Sequence, residues 1–280
     1  MLRSLAGALL VVLMIASGSA FTADAVFSNG VSLNDGFQLM YNLEFERAHQ
    51  TFLSWQQRYP NDPMGQVADA AGILFSEFNR LGILEAQFYE DDKIFKSTKK
   101  PSSDAQARDR FNEALNKGEG LAKNRLASNA KDRDALFAMT LISGLRADYA
   151  ALIDKSNMTS LHYTRTADQW ARQLLAVDPN CSDAHLATGF SKYIVGSMAA
   201  PMRWILRVGG VSGDKKQGIS ELKITAESGQ YLAPFARILL AIAYVREKDT
   251  VKAGELLAGL RDQYPKNPLF AREIARLQAH

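Results

Sequence analysis

The chain has 280 residues, of which 47% are hydrophobic and 22% are charged, so it is long enough to bury a substantial core and too apolar to remain disordered. Lysine and arginine total 33 against 30 for aspartate and glutamate. Because this small excess is spread along the chain, a nucleic-acid partner is disfavoured. The single cysteine, Cys181, excludes an internal disulfide, a cysteine-based zinc cage and an iron–sulfur cluster.

The first twenty residues have the pattern of a secretory signal peptide. Arg3 precedes an unbroken apolar run from Leu5 to Ile15, and small residues follow, which is the order of a charged region, an apolar region and a cleavage site. The run is shorter than the roughly 20 residues that a permanent membrane anchor needs. We predict that residues 1–20 are removed, with cleavage as late as Ala25, and that no stable transmembrane segment remains. The mature protein is expected to be exported, to the periplasm of a Gram-negative bacterium or otherwise to the medium.

The remainder of the chain, residues 26–280, is predicted to be a single all-α domain. Alanine and leucine dominate it, and alternating runs of β-branched and polar residues are hard to find. Three similar proline-containing motifs divide it, at residues 59–63, 178–184 and 264–268. Proline ends the incoming helix and an asparagine or aspartate caps the next one, so each motif predicts a boundary between two helices.

The predicted helices alternate with short connections along the whole chain. The first unit, residues 29–62, is expected to hold one pair, and the last helix is expected to cap the domain. In chain order, the further helices are predicted over residues 63–90, 104–130, 134–151, 161–177, 183–198, 215–228, 234–246, 251–264 and 268–279. Residues 91–103 are predicted to form a loop, since they contain the polar run from Lys99 to Ser103.

The residues that precede each proline motif recur at fixed intervals of four, three and five. The three sets are Ala48, Phe52, Trp55 and Pro60; Ala167, Ala171, Leu174 and Pro179; and Ala253, Leu257, Leu260 and Pro265. Small residues also stand twelve positions before two of these alanines, at Gly36 and Ala241. This spacing resembles the tetratricopeptide repeat (TPR), a helix–turn–helix unit of about 34 residues.

The resemblance covers residues 234–267 and 29–62 best. The segments 209–215, with Gly218, and 232–236 also look like those of bacterial repeat proteins of similar length. Those proteins in turn distantly resemble a eukaryotic inclusion-body-clearance family with tetratricopeptide repeats. The TPR resemblance implies a helical-hairpin solenoid, wound as a right-handed superhelix of about five helix pairs with expanded middle repeats. It implies binding of another protein or peptide segment and no catalytic residue.

No catalytic, metal or cofactor site is predicted. The four histidines are far apart and lack the helical spacing of metal motifs. Residues 210–214 come near a nucleophile elbow but lack the second glycine in register, so a loop that caps the next helix is predicted. Glu90 to Asp92 lie where a helix meets a polar loop, and a solvated loop is predicted. The apolar segment 198–208 is predicted to be a connecting helix, with contact to a membrane surface or a partner as the alternative.

In the TPR register, the first helix of each pair presents apolar and aromatic residues to the inner face. These candidate partner-binding residues are Phe37, Met40, Tyr41, Phe190, Tyr193, Ile194, Ile242, Val245 and Arg246. Two interpretations stay open: the face binds a helix or extended segment of another protein, or the long middle helices cover it and make it core. The sequence therefore predicts an exported interaction scaffold without catalytic activity. The alternative is a carrier of a small molecule or lipid in an apolar cavity between the helices.

Overall fold

The computed structural model describes residues 32–86, 101–197 and 213–279, and every regular element in these ranges is an α-helix, which confirms the all-α prediction. The helices within these ranges are α1 (Leu33–Tyr41), α2 (Phe45–Arg58), α3 (Pro63–Arg80), α4 (Ile83–Ala86), α5 (Ala105–Ser128), α6 (Arg133–Leu152), α7 (Asn157–Val177), α8 (Ala184–Ser197), α9 (Lys215–Ser228), α10 (Ala233–Arg246), α11 (Thr250–Gln263) and α12 (Pro268–Gln278). The predicted signal peptide, the acidic run 90–92 and the apolar segment 198–208 lie outside the described residues.

All three proline motifs lie between helices, and local capping explains why. Asp62 accepts a hydrogen bond from the backbone N–H of Met64 at 2.9 Å, and Pro63 occupies the first turn of α3. At the last motif, Asn267 accepts from the N–H of Leu269 at 3.0 Å, and α12 likewise begins with a proline. These side chains satisfy N–H groups that a helix leaves free at its start.

The helix predicted over residues 63–90 is wrong in its length, since α3 ends at Arg80. Gly82 adopts the left-handed backbone conformation with φ of 70° and is followed by the single turn of α4. Helices commonly end at a residue with positive φ, and glycine adopts this conformation at no steric cost. Glu77 then holds the end of α3 to the start of α5, because it pairs with Arg80 and accepts from the N–H of Asp104 at 2.8 Å.

Neighbouring helices pack against each other in chain order, most extensively α6 with α7, α8 with α9 and α3 with α5. The first helices of successive pairs also meet, since α3 contacts both α1 and α6, and α6 contacts α8. Although α6 is long and apolar enough to cross a membrane, such a helix also suits a protein core, and 61% of its most apolar window is buried inside this one.

Glycines allow α8 and α9 to pack at very short range. A Cβ atom added at Gly218 would lie 2.6 Å from the backbone nitrogen of Tyr193 and 2.7 Å from the carbonyl oxygen of Gly189. Both contacts are to backbone, which cannot rotate away. Gly218 therefore sets the distance between these two helices.

Replacing Gly218 with alanine should lower the free energy of unfolding by about 2 kcal/mol, because the two helices must separate. The matched control is Gly259→Ala in α11, where an added Cβ meets no described atom within 4 Å. That variant should gain about 0.5–1 kcal/mol from the better helix propensity of alanine. Urea unfolding followed by circular dichroism measures both, and equal changes in the two variants would contradict the role given to Gly218.

The first helix and the last loops of the chain meet directly. The hydroxyl of Tyr41 donates to the carbonyl of Tyr231 at 3.0 Å, and Asn267 Nδ2 donates to the carbonyl of Tyr41 at 2.9 Å. Lys266 Nζ pairs with Glu44 at 2.9 Å. The helices therefore curve enough for the C-terminal third of the chain to pack into the interior beside α1.

Candidate functional site

The nine residues predicted to bind a partner are mostly covered by the chain itself. Five are buried, namely Phe37, Met40, Tyr41, Tyr193 and Val245. Three are half-buried, namely Phe190, Ile194 and Ile242, and Arg246 is exposed. The aromatic residues of α1 are covered by two tyrosines from distant loops: Phe37 packs on Tyr231 with ring centres 5.1 Å apart, and Tyr41 packs on Tyr264 at 5.5 Å.

Six of these nine residues belong to or pack against two apolar clusters. The three residues of α1 belong to the large core, against which Ile242 also packs. Phe190 instead packs with Val245 in a smaller cluster built around α9, α10 and α11. The inner positions of α1 are therefore core in this structure, covered by the C-terminal third and not by the middle helices. A binding role for these nine residues remains a prediction.

A wide groove runs between the last two helices. It has a volume of about 460 Å³ and its floor contains Gly254 and Ala258 of α11 with Ile274 and Leu277 of α12. Val251, at its edge, is 71% exposed, the most exposed apolar side chain but one among the described residues. Such a volume lies within the range of ordinary ligand and peptide sites. We call this feature the C-terminal groove.

The charges around the C-terminal groove are of both signs. Glu255 and Arg261 of α11 belong to its lining, together with the polar side chains of Thr250 and Gln278. A Cβ atom added at Gly254 would meet no described atom within 4 Å. The groove therefore combines a polar rim with an apolar floor whose small residues leave room for close approach.

A second feature is a stripe of residues along one face of α6. Phe137, Leu141, Gly144, Asp148 and Ala151 follow each other at intervals of four, three, four and three, which places them on one side of the helix. Phe137 packs on Tyr231 with ring centres 6.1 Å apart, so the stripe faces the interior. The last four residues are all half-exposed. We call these four the α6 stripe.

Asp148 is the one ionisable residue of the α6 stripe. Burial raises the pKa of its carboxyl from 3.8 to about 7, and dehydration is the single cause. No described side chain donates a hydrogen bond to it or pairs with it. A carboxyl group that titrates near neutral pH in a sheltered position is a frequent mark of a functional site. The sequence shows Asp148 at helical spacing from apolar residues, but the sequence analysis assigns this carboxylate no functional role.

The other polar clusters of the described helices tie elements together. His49 Nδ1 of α2 lies 2.5 Å from Asp69 Oδ1 of α3, and Lys192 of α8 pairs with Glu221 of α9. Cys181 is buried in the turn before α8, where burial raises the pKa of its thiol. The described ranges contain no group of three or more metal-ligating side chains. The two ion pairs join neighbouring helices.

No protein-family model and no curated protein matches this sequence.

Proposed function

We propose that this chain is an exported, TPR-like helical scaffold that binds an amphipathic helix of another protein in the C-terminal groove and has no catalytic activity of its own. The proposed export is supported by the signal-peptide pattern of residues 1–20. The solenoid assignment is supported by helix pairs that pack on their neighbours in chain order, together with the repeated spacing before each proline motif.

The C-terminal groove is the observation that carries this proposal. In a helical array, each pair of helices buries its apolar face under the next pair. Ile274 and Leu277 on α12 stay only half-buried. The groove therefore offers the surface on which a further helix of such an array packs.

The shape of the groove favours a helix as its occupant. Gly254 and Ala258 are four residues apart and so lie above one another on α11. Small residues at this spacing allow the backbone of another helix to approach closely, as Gly189 and Gly218 do between α8 and α9. The expected occupant has small apolar residues at the same helical spacing and polar residues that reach Glu255 and Arg261.

The partner can be found by placing a photoreactive benzoylphenylalanine at Val251 and irradiating the exported fraction. We expect one crosslinked protein, joined through a segment with helical apolar periodicity. A synthetic peptide of that segment should then bind the purified protein, and Ala258→Glu should weaken binding at least tenfold, because it places a charge in the apolar floor. Fluorescence anisotropy of the labelled peptide measures this affinity.

The matched control is Val177→Glu, which changes an exposed valine at the end of α7, outside the groove. It should leave peptide affinity unchanged. Crosslinking to an extended segment or to a second copy of this chain would overturn the proposed occupant, as would peptide binding that is insensitive to Ala258→Glu. Circular dichroism should show both variants folded, since glutamate is well tolerated on an accessible helix surface.

A further inference from the structure

The two charged residues that line the C-terminal groove stand on opposite edges of its floor. Glu255 and Arg261 both belong to α11, and their spacing separates them by about 9 Å along the helix axis and by about 120° around it. Gly254 and Ala258 point between these two directions. A helix seated on the two small residues would therefore have Glu255 along one side and Arg261 along the other.

Glu255 and Arg261 differ in the partners that the chain itself gives them. Arg261 pairs with Asp262, its neighbour on α11, at 2.8 Å. Glu255 is exposed, and among the described residues no side chain forms an ion pair or a hydrogen bond with its carboxylate. Lys252, one turn before it, pairs with Asp249 instead. The residues that line the groove, all within the described ranges, therefore carry one unpaired charge, and this charge is negative.

We propose that the helix bound in the C-terminal groove is basic: it carries a lysine or arginine beside its small apolar face, and this residue pairs with Glu255. This inference rests on the proposed function, since it assigns a charge to the occupant of the same groove. An ion pair between exposed side chains contributes little, but the docked helix and the apolar floor would shield one side of this pair from water. An acidic residue opposite Arg261 would gain less, because Asp262 already pairs with that guanidinium. The groove therefore selects its partner by charge as well as by shape.

Two hydrocarbon-stapled helical peptides of about five turns test this assignment. Both have a stripe of alanines at four-residue spacing; one carries lysines along both edges of the stripe, and the other carries glutamates at the same positions. We expect the lysine peptide to bind the wild-type protein at least fivefold more tightly than the glutamate peptide at low salt. The preference should shrink to less than about twofold in ~1 M sodium chloride, which screens exposed charges. Fluorescence anisotropy of the labelled peptides measures both affinities.

Reversing the charge of Glu255 tests whether this residue is the source of the preference. Glu255→Lys should reverse it, so that the glutamate peptide binds more tightly than the lysine peptide. The matched control is Glu227→Lys on α9, which makes the same change in net charge at an exposed glutamate outside the groove; it should keep the wild-type preference. Equal affinities of the two peptides for the wild type, or a preference that survives in Glu255→Lys, would overturn the charge assignment.

Gly254→Leu separates a failure of this inference from a failure of the proposed function. A Cβ atom added at Gly254 meets no described atom within 4 Å, so leucine, a good helix former, should fill the groove without a change in charge. Both peptides should bind this variant at least tenfold more weakly. If they do, but the wild type binds the two equally, the groove takes helices of any charge and only this inference fails. If the wild type binds neither peptide, or Gly254→Leu binds both as the wild type does, the proposed function fails as well.

Discussion

Replacing Asp183 with alanine should lower the free energy of unfolding by about 4 kcal/mol, the largest loss that we expect from a single side chain. The Asp183 carboxylate is only 5% exposed. It accepts from the backbone N–H groups of Gln230 and Leu232 at 3.0 Å and from that of Tyr231 at 3.3 Å. Alanine would leave these three donors without their acceptor in a place that water reaches poorly.

The loop of residues 230–232, which Asp183 anchors, also contacts the first helix, α1. Tyr231 packs on Phe37 of α1 and Phe137 of α6, and its carbonyl accepts from Tyr41. Without Asp183 this loop loses its anchor on the α7–α8 connection, so the contacts of α1 with the C-terminal third should loosen together with it. The effect should therefore be visible far from the substitution.

Urea unfolding measures the loss of stability, and hydrogen exchange followed by mass spectrometry locates it. Exchange should accelerate at residues 230–232 and in α1 of the Asp183→Ala variant. The control is Asp262→Ala, which removes a carboxylate that is 69% exposed and pairs only with Arg261; it should change stability by no more than about 0.5 kcal/mol. Unchanged exchange in α1 would show that the loop does not hold the first helix.

Replacing Asp148 with asparagine should stabilise the protein at pH 8 and have no effect at pH 4. Burial raises the pKa of Asp148 to about 7 in the folded protein, against an ordinary value of 3.8. Between these two values the folded state retains a proton that the unfolded state has released, so the free energy of unfolding falls as the pH rises from about 4 to 7. Asparagine carries no charge at any of these pH values and removes this part of the dependence.

The expected gain at pH 8 is about 3 kcal/mol, which is less than the full shift would give because the side chain is partly accessible. Urea unfolding at a series of pH values measures the difference between the two proteins, which should grow above pH 4 and level off above pH 7. The control is Asp109→Asn on α5, whose carboxylate is 70% exposed and pairs with Arg108; it should follow the wild-type curve throughout. A constant difference between Asp148→Asn and the wild type would show that the carboxyl titrates in its ordinary range.

Helix ends and capping motifs, which depend on only a few neighbouring residues, could be predicted from the sequence. The helix predicted over residues 215–228 has the same bounds as α9, and the three proline motifs all separate helices, because proline and the capping side chains act on the adjacent turn. The stop at Gly82 was missed because the helical pattern of apolar residues continues beyond it. Only the backbone conformation reveals that the glycine is left-handed.

The amino-acid pattern alone was enough to predict that the described residues are helical and where most of their helices begin and end, since capping and periodicity are local properties. Which apolar faces are covered depends instead on how distant helices pack together. Phe37 and Tyr41 are core because Tyr231 and Tyr264, about 190 or more residues later, curve back onto them. The C-terminal groove is open for the same reason: the distances between helices depend on the sum of many small packing angles, which no local pattern specifies.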